Sequence, residues 1–212
     1  MNLTEKEINY NTSNSYSTLN VLNKNTKNVW FVCHGMGYLS RYFLKYFKSL
    51  DPDKNYVIAP QAPSKYCQQP KMHVGANWLT RDNTQAGMEN IINYFDSIFT
   101  NEQLSSNLNL IVLGYSQGVS VALRYMIKRE IQCNKLIIHS GGIPVELVNK
   151  DFSYLKKETE VYLVYGTKDE YLNEQRIVEE TKKAKELFGD KLQIIPFEGS
   201  HIVNVSFINS IV

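Results

Sequence analysis

Gly114-Tyr115-Ser116-Gln117-Gly118 sets a serine between two glycines, each two positions away, and that arrangement suits a nucleophile. The run before it, Leu108-Asn109-Leu110-Ile111-Val112-Leu113, has the apolar character of a short buried strand. After it, Val119 to Lys128 repeats apolar residues at helical spacing. A serine on a strand-to-helix turn carries strained dihedrals, and a Cβ two residues to either side collides with the adjoining strand or helix. At its ordinary pKa, serine is a poor nucleophile. It needs a base, and the base needs an orienting carboxylate. Sheets of the open parallel kind collect such groups just past the carboxyl ends of their strands. The predicted strand ending at Tyr165 runs into Gly166-Thr167-Lys168-Asp169-Glu170, and the one ending at Phe197 runs into Glu198-Gly199-Ser200-His201. Ser116, Asp169 and His201 are therefore the expected nucleophile, orienting acid and base, with Glu170 the rival to Asp169.

Attack on an acyl carbon also requires two fixed N–H donors for the oxyanion. Gln117, directly after the nucleophile, offers one. The second is expected from the loop after the first strong strand, His34-Gly35-Met36-Gly37. Met36 is the preferred donor, with Gly35 and Gly37 as alternatives. His34 precedes the serine in the chain and is assigned a structural role in shaping that loop.

The elements that must position these groups alternate between strand and helix, which implies an α/β fold with a mostly parallel sheet covered on both faces. Strands are expected at 28–33, 56–59, 108–113, 135–139, 160–165 and 193–197. Helices are expected over about 39–50, with Leu39, Tyr42, Phe43, Tyr46, Phe47 and Leu50 inward, over 83–99, and over 119–128. A further helix spans about 173–188, with Ile177, Val178, Thr181, Ala184 and Leu187 inward, a Glu179–Lys183 pair and Gly189 just past its end. Residues 4–22, polar and rich in Asn, Ser and Thr, read as a weak edge hairpin, and the apolar tail from Ile202 reads as a short closing helix.

The 212 residues suit one domain, 1–212, long enough to bury a sizeable core. A net charge of +2 without a dense basic run argues against a nucleic-acid partner. Cys33, Cys67 and Cys133 are odd in number and widely spaced, forming no metal pattern or disulfide framework. With no signal-like apolar stretch after Met1 and no run long enough to span a bilayer, the expectation is a cytoplasmic protein without an integral membrane segment.

The chain resembles the small serine carboxylesterases of the α/β-hydrolase superfamily, the group that includes acyl-protein thioesterases and bacterial phospholipase/carboxylesterases. The resemblance rests on His34-Gly35-Met36-Gly37, Pro60-Gln61-Ala62-Pro63, Trp78, Gly114-Tyr115-Ser116-Gln117-Gly118, Ser140-Gly141-Gly142, Gly166-Thr167-Lys168-Asp169 and Gly199-Ser200-His201. These pieces span nearly the whole chain, and the Ser-Gln pair is the most characteristic of them. The resemblance implies an α/β-hydrolase fold and hydrolysis of carboxylic esters or thioesters through an acyl-enzyme, with no metal and no organic cofactor. Two positions depart from the pattern. Tyr38-Leu39-Ser40-Arg41 replaces an acidic residue common after the His-Gly loop, and Gln61 stands where a histidine often occurs. Both are expected to line the mouth of the site.

Only about twenty residues separate the strand ending at His139 from the next, which leaves no room for a large cap domain. The expected groove is open, with Tyr38, Tyr66, Met72, Trp78, Ile143 and Tyr171 as its candidate lining beside Met36. Small-molecule esters or thioesters are the expected substrates. Acylated lipid or protein, and a homodimer, stay open as partners. The competing readings are a catalytically silent binding protein on the same fold and a serine hydrolase of different bond specificity.

Overall fold

Along Asn28–Cys33, side chains of Val29, Phe31 and Cys33 enter one apolar cluster and those of Trp30 and Val32 enter another, and all five are buried. A strand apolar on both faces needs cover on both. The computed structural model, which describes residues 3–212, shows how the chain provides it. In chain order the strands are β1 (Tyr16–Leu19), β2 (Asn28–Cys33), β3 (Asn55–Pro60), β4 (Ser64–Gln68), β5 (His73–Asn77), β6 (Asn109–Tyr115), β7 (Lys135–His139), β8 (Glu160–Gly166) and β9 (Leu192–Phe197). The helices are α1 (Ser40–Phe43), α2 (Thr84–Glu102), α3 (Gln117–Arg129), α4 (Glu174–Phe188) and α5 (Val205–Ser210). Seven strands form one sheet in the order β1-β3-β2-β6-β7-β8-β9, and β4 and β5 form a separate hairpin. Among the described residues, only β1 pairs antiparallel within the large sheet.

One cluster packs α2, α3 and α4 on the sheet, with Met88, Ile91, Ile92, Phe95 and Ile98 of α2 recurring at helical spacing. Phe31 meets Phe95 edge-on at 5.0 Å between ring centroids and lies 4.9 Å from Phe99. The opposite cluster joins Trp30, Phe43 and Phe47 to Phe207 and Ile208 of α5. Full burial of each such side chain stabilises the fold by roughly 1.5–3 kcal/mol. The Trp30 indole N–H is satisfied by Asn55 Oδ1 at 3.1 Å. Strand order reverses between β2 and β6, so their carboxyl ends open a crevice on that edge of the sheet.

Four expectations about the elements change. Residues 4–22 supply one edge strand, β1, rather than a hairpin. The helix expected over 39–50 is a single α-turn, α1, continued by a 3-10 turn over Leu44–Phe47; Leu39, Phe43, Phe47 and Leu50 are buried, whereas Tyr42 is exposed. On α4 the inward stripe holds Ala184, Leu187 and Phe188 but leaves Val178 outside, because Glu180 occupies the buried position. Its carboxylate accepts the Ile143 N–H at 2.8 Å and pairs with Arg176 Nε at 2.8 Å, which satisfies the charge. The expected Glu179–Lys183 pair is replaced: Gln175 donates to Glu179 and Lys183 donates to the Val145 carbonyl.

Candidate active site

Ser116 sits between β6 and α3 with φ 53° and ψ −121°, a region that L-residues occupy only when their surroundings compel it. Close packing does the compelling. A Cβ at Gly118 would stand 2.1 Å from the Cys33 carbonyl oxygen, and one at Gly114 would stand 2.4 Å from the Val119 Cα. The Ser116 N–H donates to the His139 carbonyl at 2.9 Å, tying the turn to the end of β7.

The loops past β8 and β9 converge on the serine at the end of β6. His201 Nε2 lies 3.0 Å from Ser116 Oγ, and His201 Nδ1 lies 2.8 Å from Asp169 Oδ2. The Asp169 side chain is fully buried and that of His201 is 13% exposed. Asp169 Oδ1 accepts the N–H groups of Tyr171 and Leu172 at 2.9 and 3.0 Å, so the carboxylate cannot rotate away. Main-chain bonds from Thr167 and Lys168 to the carbonyls of Phe197 and Gly199, both 2.8 Å, zip the acid loop to the histidine loop. Glu170, the rival carboxylate, accepts the backbone N–H of His201 at 3.2 Å and does not contact the ring nitrogens. The arrangement can move a proton from Ser116 Oγ to His201 while Asp169 holds the imidazole tautomer.

The loop after β2 brings its main chain to the same place. Gly37 N–H is committed to the Ala76 carbonyl at 2.8 Å, which removes it as an oxyanion donor and leaves Met36 and Gly35. Gln117 N–H, first in α3, has no acceptor within its own helix. His34 is buried and takes Ala62 N–H on Nε2 at 3.1 Å, so Nδ1 carries the hydrogen and donates to the Gly35 carbonyl at 2.7 Å. Burial holds its pKa down to about 4, with the Gly35 bond opposing, and keeps it neutral at pH 7. The Gln117 side chain does a second job. Its Oε1 accepts Trp78 N–H at 2.9 Å and its Nε2 donates to Asn77 Oδ1 and the Leu79 carbonyl at 2.5 and 2.8 Å. From the far side, Gln68 of β4 donates to the Gly37 carbonyl at 2.7 Å.

The candidate lining residues divide. Met36, Tyr66, Met72 and Tyr171 are exposed, and Tyr171 meets the His201 ring edge-on at 4.7 Å. Tyr38 is half-buried, packed on Tyr115 and bonded through its hydroxyl to Tyr46 at 2.9 Å. Trp78 and Ile143 are corrections. Both are buried, Trp78 with its indole N–H on the His34 carbonyl at 2.7 Å and Ile143 in the cluster beneath α4, so each supports a loop instead of facing an open groove. Gln61 is likewise not at the mouth. Its buried amide accepts Ser40 N–H and donates to the Ala62 carbonyl, holding the start of α1. The sequence reading missed the supporting roles of Gln68, His139 and Asn204. Only Asn204, an N-cap residue directly before the apolar Val205–Ile208 run, carried a local signal.

Among the described residues no helix is long and apolar enough to cross a membrane. A sequence search of curated proteins returns no match. Among solved structures, acyl-protein thioesterase 2 of Zea mays is similar with a TM-score of 0.70 at 16% identity, covering 94% of this chain and 96% of that one. Esterase PE8 gives 0.66 at 20% identity, covering 95% and 100% of the two chains. A phospholipase/carboxylesterase from Dyadobacter fermentans gives 0.65 at 18% identity, covering 95% and 97%. At these identities the likeness is one of fold. The family model described as phospholipase/carboxylesterase matches residues 16–211, which contain every loop of the crevice. With that match over nearly its full length, the chain belongs to the phospholipase/carboxylesterase family of α/β-hydrolases.

Proposed function

We propose that this protein is a serine esterase or thioesterase that works through an acyl-enzyme, the whole chain serving as one hydrolase domain. The observation that carries the reading is the relay from Ser116 Oγ to His201 Nε2 at 3.0 Å and from His201 Nδ1 to Asp169 Oδ2 at 2.8 Å. Ser116 Oγ attacks the acyl carbon as its proton passes to His201 Nε2, and Asp169 stabilises the imidazolium. The oxyanion accepts from the N–H groups of Gln117 and Met36. Collapse expels the alcohol or thiol, which takes the proton from Nε2. Water, deprotonated by the same nitrogen, then releases the acid and restores Ser116.

Exposed Met36, Tyr66, Met72 and Tyr171 suit an open mouth that takes small-molecule esters and thioesters and lets a longer acyl chain trail outward. Lipid- or protein-borne acyl groups are the extension of that substrate class. A cytoplasmic setting fits three cysteines that are all unpaired, the Cys33 and Cys133 thiols kept protonated by burial. The test is labelling with a fluorophosphonate, mass spectrometry to locate the adduct, and turnover of short-chain nitrophenyl esters and acyl thioesters. The expected result is one adduct, on Ser116, with both adduct and turnover abolished in a folded S116A variant. Equal turnover in wild type and S116A refutes the assignment.

A further inference from the structure

His139 ends β7, the strand between those that lead to the serine and to the acid, and it touches both sides of the relay. Its carbonyl accepts the Ser116 N–H at 2.9 Å. Its ring reaches the histidine loop: Nε2 accepts the backbone N–H of Asn204, three residues past His201, at 2.9 Å. With Nε2 accepting, Nδ1 bears the hydrogen and donates to Ser140 Oγ at 3.1 Å. The imidazole is fully buried against Tyr115, 5.3 Å between ring centroids, and Phe197, 5.9 Å. Tyr115 packs in turn on the His201 ring at 5.2 Å, and its hydroxyl donates to the His201 carbonyl at 2.9 Å. Asn204 caps α5 by accepting Phe207 N–H at 3.0 Å. The segment between β9 and α5 is thus pinned at His201 by Tyr115 and at Asn204 by His139.

An aliphatic side chain would fill a fully buried position at the end of a central strand without a desolvation cost. What imidazole adds there is an acceptor for the Asn204 main-chain N–H, beside an Nδ1–H bond to the adjacent Ser140 that spans no loop. We infer that His139 is a positioning residue, holding segment 198–204 so that His201 Nε2 stays within hydrogen-bonding reach of Ser116 Oγ. It does not touch substrate. The inference rests on the hydrolase reading above and deepens it.

The test compares H139L, which fills the space and removes the acceptor, with H139Q, whose side-chain oxygen returns an acceptor near the Nε2 position. H139M gives a second apolar filling should H139L not fold. In H139L, kcat on a nitrophenyl ester is expected to fall by about 10–100-fold, the scale of a misplaced catalytic group, with KM changed by no more than about twofold. H139Q is expected to return kcat to within about threefold of wild type. Amide exchange at Asn204, measured by NMR without substrate, should quicken in H139L and slow again in H139Q. Wild-type kcat in H139L, or an H139Q no better than H139L at matched Tm, overturns the inference. Wild-type protein lacking Ser116-dependent turnover instead refutes the hydrolase reading, and Asn204 exchange still decides whether His139 holds the loop.

Discussion

Replacing Gly118 by alanine tests whether close packing at the turn sets the catalytic geometry. The new Cβ would lie 2.1 Å from the Cys33 carbonyl oxygen, 2.6 Å from its carbon and 2.7 Å from the His34 carbonyl oxygen. All three are backbone atoms, so no rotamer change relieves the overlap. Because Cβ contacts essentially never fall below 3.0 Å, the start of α3 and the end of β2 must part by at least about 0.9 Å. That movement separates the Gln117 N–H from the Met36 N–H, the two proposed oxyanion donors. A displacement of this size costs about 10²-fold in rate, and complete loss of one donor about 10²–10³-fold. The expected fall in kcat is therefore about 10²–10³-fold, equivalent to roughly 3–4 kcal/mol at the transition state. Overpacking adds about 1–3 kcal/mol of destabilisation, or several degrees in Tm. The control is G87A in α2, where the nearest heavy atom to the added Cβ is the flexible Leu79 Cδ2 at 3.1 Å. That change should leave kcat alone and stabilise the fold by about 0.5–1 kcal/mol. Initial rates on a nitrophenyl ester and thermal unfolding give both numbers. Wild-type kcat and Tm in G118A would show that close packing at this turn does not set the catalytic geometry.

Two further outcomes follow from the site. In D169N the backbone N–H groups of Tyr171 and Leu172 should retain the amide oxygen, turning the NH2 toward His201 Nδ1 and forcing the tautomer that places a proton on Nε2. The expected loss is about 10⁴-fold in kcat with unchanged far-UV circular dichroism, and a loss below tenfold would remove Asp169 from the relay. The second outcome concerns acid stability. Burial lowers the pKa of His34 to about 4 and of His139 to about 3, the latter also disfavoured by the positive charge of nearby His201 and partly offset by Asp169. Unfolded histidines bind protons below about pH 6.5 while these two folded ones do not, so stability rises with pH across that interval and is lost as pH falls toward 4. The slope is about 1.4 kcal/mol per pH unit for each histidine, and denaturant unfolding at pH 7 and 5 measures it. Identical midpoints at the two pH values contradict the neutral assignment.

The Ser116 and Asp169 loops were legible because β6 and β8 each carry a continuous buried run, and Ser116 is flanked by glycines that backbone contacts require. β9 is only half-buried, so His201 was legible from chain order and its place after that strand. Burial of both faces also made β2, β6, β7 and β8 easy to place. The hairpin of β4 and β5 was not legible. Ser64, Lys65, Tyr66 and Cys67 are all exposed, so no alternation of apolar and polar residues marks the strand. Val178 was misplaced because α4 buries a carboxylate, and a polar residue with a partner in a distant loop looks like surface from the sequence. From the sequence Trp78 and Ile143 look like groove lining, but apolar character beside a loop says nothing about which side of the loop faces water. His139 gives no signal as a site residue because Ser116 and Asn204, the two groups it links, come from elsewhere in the chain.

The β4–β5 hairpin separates two properties that many enzymes must alter together. Its inner contacts, Gln68 on the Gly37 carbonyl and the Ala76 carbonyl on Gly37 N–H, clamp the loop that carries the proposed oxyanion donor. A Cβ at Gly75 would stand 1.9 Å from the Gln68 amide nitrogen and 2.8 Å from the Gly37 carbonyl oxygen, so a side chain there must displace the clamp. Its exposed residues, Tyr66, Met72 and Val74 among them, have no part in that clamp. On the proposed function, substitutions at the outer positions are expected to suit new acyl groups while the rate of bond cleavage stays fixed. Changes at Gln68 or Gly75 are expected to do the reverse, lowering turnover of every substrate alike, and the hairpin then becomes a place where selectivity can be bred without retuning the chemistry.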